Sequence, residues 1–187
     1  VLLIHDAALP KGIMSPFHLK AFLASFVSPL KIRDFSLTWV GRILVIFGYT
    51  TVVLFLFYYF QATLHDTQAQ ATQRVAIFQV LATGVLIVAT ITSGVISDRL
   101  QRRKPFVITA SLTLALGLII LAFSHTWALA LVAAVFIGVG FGIFLSGDLA
   151  LQTQVLPDRK DNGKDLGILN TANLLPQILV PIVAGIV

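Results

Sequence analysis

Five runs of about 20 predominantly apolar residues, set apart by short charged stretches, constrain this chain more than any other feature. They cover roughly residues 39–60, 75–96, 105–123, 127–150 and 166–187. A helical run of that length matches the ~30 Å hydrocarbon core of a bilayer, so each reads as a membrane-spanning helix. Composition agrees. Of 187 residues 57% are apolar and only 11% charged, against about 25% charged in soluble domains, and a soluble domain of this size could not hide so much hydrocarbon. The expected class is an all-α integral membrane protein. Cysteine is absent, which excludes a disulfide framework, a zinc cluster and thiol chemistry.

The first 36 residues read differently from the rest. The opening run Val1-Leu2-Leu3-Ile4 is too short for a secretory h-region and has no basic n-region, so it reads as the tail of a preceding helix rather than a signal peptide. The last residues, Ile186-Val187, fall inside an apolar run, and both ends read as cut. Between them and the first span, Ser15 is placed to cap a helix and Pro16 suits its first position, while Leu19, Leu23 and Phe26 share one face. This predicts a short amphipathic helix over 15–28, lying at the membrane surface and ended before Pro29. In the first span, Trp39 and Tyr58 lie about 29 Å apart at ~1.5 Å per residue, one aromatic at each interface.

Basic residues set the orientation. Lys11, Lys20, Lys31, Arg33 and Arg42 precede or enter the first span; Arg99, Arg102, Arg103 and Lys104 lie between the second and third; Arg159, Lys160 and Lys164 lie between the fourth and fifth. The opposite loops hold only Arg74. The positive-inside rule therefore places the linker and the basic loops in the cytoplasm of a plasma-membrane protein. The net charge of +5 is thus a topology signal first and a lipid-contact surface second, and no nucleic-acid partner is expected.

Polar groups within the spans are the functional candidates, because each is costly in hydrocarbon and must face protein or water. Asn170, Asn173 and Gln177 share one face of the last span, which Pro176 and Pro181 loosen; Gln79, Thr83, Thr90 and Ser97 form a stripe on the second. The two stripes are expected to line one hydrophilic cavity, the competing reading being plain interhelical hydrogen bonds. Asp148 is the only acid within the apolar windows. From Trp127 it lies about 31 Å along the helix, at the cytoplasmic end, which favours pairing with Arg99, Arg102 or Arg103 as a gate over a proton-coupling role. Arg42, one turn inside its span, is expected to snorkel to the headgroups. Gly138 and Gly142, with Gly140 between them, predict close helix packing. No catalytic residue, metal ligand set or phosphate loop is evident, and His5, His18, His65 and His125 are lone interfacial or solvent-facing residues.

The most specific string is Gly94-Val95-Ile96-Ser97-Asp98-Arg99-Leu100-Gln101-Arg102-Arg103-Lys104. It resembles the signature loop of the major facilitator superfamily, with Gly94, Asp98, Arg99, Arg102 and Arg103 in the matching places and Gln101 where the pattern has a second glycine. The stretch Phe26 to Phe35 leading to Trp39 and Arg42 is similar to the linker and seventh helix of prokaryotic members. Val155-Leu156-Pro157-Asp158, Gly163 to Asn170 and Leu175-Pro176-Gln177 are similar to their tenth and eleventh helices. The resemblance implies the central linker and helices seven to eleven of a twelve-helix transporter of two bundles, partnered by a missing N-terminal six-helix bundle. It implies a secondary active transporter moving a small solute by alternating access, with a proton or cation gradient rather than a cofactor as the driving force. A gating loop of Gly94, Asp98, Arg99, Arg102 and Arg103 with Asp148, and a cavity lined by Gln79, Thr83, Thr90, Asn170, Asn173 and Gln177, would carry it. A proton-driven sugar symporter is the favoured form; drug or metabolite efflux, and a receptor or structural subunit that transports nothing, are the alternatives.

Overall fold

The computed structural model describes residues 31–100, 104–155 and 162–186. These form five helices in succession: α1 (Arg33–Thr63), α2 (Gln68–Leu100), α3 (Lys104–Ala122), α4 (Trp127–Val155) and α5 (Asn162–Ile186). Four segments are long and apolar enough to cross a membrane: Phe35–Thr63, Gln68–Ser97, Pro105–Ala122 and Trp127–Asp148. α5, with 25 residues, covers 166–186 of the fifth expected span, and Pro176 and Pro181 sit inside it without ending it. Each proline leaves the carbonyl four residues earlier without its helical donor. The expected amphipathic helix over 15–28 lies outside the described residues.

Local chemistry places the turns at one end of the bundle. α1 closes with the Leu64 N–H donating to the Phe60 carbonyl at 3.0 Å, and His65 then takes a left-handed conformation (φ 55°), as residues just past a helix C-terminus often do. α2 starts at once with a reciprocal cap: the Thr67 N–H donates to Gln70 Oε1 at 3.0 Å and the Gln70 N–H to Thr67 Oγ1 at 3.4 Å. This is the capping-box arrangement, with Gln in the third helical position. Thr67→Ala is expected to cost about 1 kcal/mol, measurable as a lower unfolding temperature in detergent; an unchanged temperature would show that the cap contributes nothing. Next to it Arg74 holds Asp66 at 2.7 Å and stacks over the Trp127 ring at 5.4 Å, tying the α1–α2 turn to the start of α4.

The helices pack as two groups. α4 lies along both α2 and α3, α1 runs beside α5, and contacts between the groups are sparser. α4 is the central helix, with 44% of its span buried against 17–22% for the other three. Its Ala130, Ala133 and Ala134 meet Ala82 and Ala110 of its neighbours in the core, small residues that let backbones approach. The outward faces carry the opposite chemistry from a soluble protein. Leu44, Val80, Ile87, Ile91, Leu112 and Ile119 are exposed, whereas Arg42, Ser93, Ser97, Ser124 and Asp148 are buried, the inversion that a hydrocarbon surround demands.

A buried ion pair at the basic end as the candidate functional site

Successive helices alternate in direction, so the start of α1, the end of α2, the start of α3, the end of α4 and the start of α5 share one end. At that end Asp148 of α4 meets Arg42 of α1, Nη1 to Oδ2 at 2.9 Å, with both side chains less than a tenth exposed. Nη1 makes no aligned hydrogen bond, so this contact is chiefly one of charge with charge. Arg42 Nε donates to Asn173 Oδ1 of α5 at 3.0 Å, and Asn173 Nδ2 donates to Asn170 Oδ1 at 2.8 Å. One turn earlier on α1, Trp39 Nε1 donates to the Ile168 carbonyl at 3.0 Å. A cation from α1, an anion from α4 and an amide from α5 therefore converge at one depth.

This geometry corrects several expectations. Arg42 does not snorkel: it is 8% exposed, because a charge-bearing partner lies within the bundle and pairing there replaces solvation by headgroups. Asp148 pairs with Arg42 among the described residues, and Arg99 is exposed at the end of α2. Arg102 and Arg103, and the side chain of Asp98, lie outside the described residues. Gly94 is not needed for close approach, since a Cβ there would meet Ser146 Cβ at an ordinary 4.0 Å.

The two polar stripes part company. Thr90 lies in the α2–α4 seam, its hydroxyl 2.8 Å from the Leu86 carbonyl and 3.1 Å from that of Gly142, so it joins helices instead of facing a cavity. Thr83 is exposed and Gln79 half-buried on α2, in the other helix group from Asn170, Asn173 and Gln177. Among the described residues no contact brings the two stripes together. Asn173 instead fixes the Arg42 guanidinium, while Asn170 and Gln177 are exposed on α5.

Three connections were not expected from sequence. The Ser93 and Ser146 hydroxyls lie 2.7 Å apart between α2 and α4. Tyr49 of α1 stacks on Phe141 of α4 with centroids 3.9 Å apart and rings 1° from parallel. At the far end the Tyr59 hydroxyl donates to the Leu121 carbonyl, closing α1 on α3. Arg42–Asp148, Tyr49–Phe141 and Tyr59–Leu121 thus link the two helix groups at three depths, and only the first is ionic.

The family model of the Major Facilitator Superfamily matches residues 38–187, which takes in all but the first few residues of α1 and everything after it. The chain belongs to the Major Facilitator Superfamily. Neither a curated protein nor a solved structure matches it. Membership makes this a multi-pass membrane transporter, which lives in the lipid bilayer and is not of an enzyme family. Among the described residues no group of His, Asp or Glu residues that could hold a metal ion occurs.

Proposed function

We propose that this facilitator is a secondary active transporter that moves a small polar solute by alternating access, and that the Arg42–Asp148–Asn173 cluster is a latch in that movement. The observation that carries the reading is the placement of a buried ion pair, Arg42–Asp148, between the α1–α5 and α2–α3–α4 groups. A latch must hold one arrangement and release another with modest energy difference, and a buried pair does this because its Coulombic gain and desolvation cost nearly cancel. The signature turn, with Gly94, Asp98, Arg99, Arg102 and Arg103, belongs to the same basic end and completes the gating loop. On this reading the proton gradient drives transport, the substrate class is a sugar, the basic end is cytoplasmic, and a first six-helix bundle supplies the other half of the site.

The test is radiolabelled disaccharide uptake into proteoliposomes with an imposed proton gradient. Accumulation that collapses with an uncoupler is the expected result. Uptake indifferent to the gradient would remove the proton coupling, and no uptake with binding retained would favour a receptor.

A further inference from the structure

A groove of about 740 Å³ runs along α2, with walls from Gly84, Val88 and Ile96 of α2, Phe106 of α3, and Val139 and Ile143 of α4. Its three hydroxyls ask for nothing. Thr92, Ser93 and Thr109 all donate back into their own helices, to the carbonyls of Val88, Ala89 and Phe106. The occupant must therefore be hydrocarbon. The groove lies within the membrane-spanning parts of α2, α3 and α4, where tails are the surrounding medium.

The ends of the groove differ. Val80 and Leu81 line the far end, and one turn before it Gly84 leaves the groove open, since a Cβ built there meets nothing within 4 Å. From Ile96 to Val80 is about 24 Å at ~1.5 Å per residue, so the groove runs past the ~15 Å depth of one leaflet, a depth that a chain entering at Ile96 has covered by Gly84. At the near end Ile96 precedes Arg99 by one turn, and Phe106 follows the first residue of α3 by two positions. Arg99 is exposed there and outside both ion pairs. A slot at least one leaflet long, dry along its walls and cationic at its mouth, complements an amphiphile with one anionic head.

We propose that this groove is a binding site for an anionic phospholipid, its acyl chain laid along α2 from Ile96 to Gly84 and its phosphate paired with Arg99. A cation beside an anionic headgroup contributes about 1 kcal/mol, so the charge selects the head while the walls select the chain. The site does not depend on the transport reading, because lipid retention is measured without any substrate.

The experiment is native mass spectrometry of the purified protein with phosphatidylglycerol or phosphatidylcholine added at equal mole ratio, together with Arg99→Gln and Gly84→Phe. The expected result is one phosphatidylglycerol retained at activation energies that strip phosphatidylcholine. Its apparent affinity should fall about fivefold in Arg99→Gln, the fold-change that ~1 kcal/mol represents. It should be lost in Gly84→Phe, where the new ring fills the slot. The lipid-free unfolding temperature of Gly84→Phe should not fall below that of the parent, because a Cβ at that position meets nothing within 4 Å. Equal retention of the two lipids would overturn the proposal, as would phosphatidylglycerol binding that survives Gly84→Phe. A lipid-free dimer disrupted by Gly84→Phe would assign the groove to a second copy and overturn it as well.

Discussion

Asp148→Asn is expected to abolish both net uptake and substrate exchange while leaving substrate binding intact. The substitution keeps the volume and removes the charge, so Arg42 is left buried at the meeting of α1, α4 and α5 with only Asn173 as a polar partner. Breaking a buried pair by removing one partner costs about 3–5 kcal/mol. The lower end applies here, because Arg42 sits near its helix terminus and its long stem can carry the head toward the interface once released. A clear drop in unfolding temperature should accompany the loss of transport. The double variant Arg42→Gln with Asp148→Asn removes both charges, and it should recover stability to within about 1 kcal/mol of the parent, since neutralising both members of a buried pair is often near neutral. Transport should stay lost in the double variant, because a latch without charge holds neither arrangement selectively. Separating stability from turnover in this way distinguishes a latch from a brace. If exchange persists in Asp148→Asn while proton movement stops, Asp148 is the coupling acid and the latch assignment is wrong.

The helices were legible because hydrocarbon length is a one-dimensional property. The apolar windows 39–60 and 127–150 fall inside α1 and α4, and the helices overrun them by a turn or so where polar ends continue the hydrogen-bonding pattern. The depth of Asp148 was legible for the same reason, as a distance along α4 from Trp127. Its partner was not. The arginines expected to meet it lie in the turn after α2, where Arg102 and Arg103 are outside the described residues, whereas the ion pair that is described crosses to α1, more than a hundred residues away, and which helices adjoin is a tertiary fact absent from local periodicity. A signal did exist: Arg42, Asp148 and Asn173 are each within a few turns of the same end of their helices, and matching polar residues by depth across all five spans would have brought them together. The Ser93–Ser146 contact offered no such signal, since serines are frequent in spans and most bond only to their own helix. The meeting of Asn173 with Arg42 was hidden for a related reason: a stripe on one helix says which face is polar and not which neighbour that face meets.

Gly140→Ala should be among the most destabilising single-methyl additions in the chain. A Cβ at Gly140 would sit 2.5 Å from the Leu114 backbone N and 2.8 Å from its Cα; at Gly138 it would sit 2.5 Å from the Ala82 carbonyl oxygen, and at Gly142 2.6 Å from that of Leu86. Gly140 thus fits α4 against α3, while Gly138 and Gly142 fit it against α2. Backbone atoms cannot swing aside as a side-chain end can, so α3 and α4 must separate, with an overpacking cost of about 3 kcal/mol or more. The internal control is Gly84→Ala. There a Cβ meets nothing within 4 Å, and the substitution should gain up to about 1 kcal/mol from helix propensity alone. The monodisperse yield and unfolding temperature of the two variants in one detergent check the contrast, and equal behaviour would mean that the helices pack less closely than these glycines require. The same measurement bears on mechanism. If α2, α3 and α4 move as one block against α1 and α5, loosening the block lowers transport only in proportion to the folded protein lost. A Gly140→Ala protein that stays folded and stable yet transports nothing would instead place the α3–α4 contact within the motion itself, and the moving boundary would then run through the group and not along its edge.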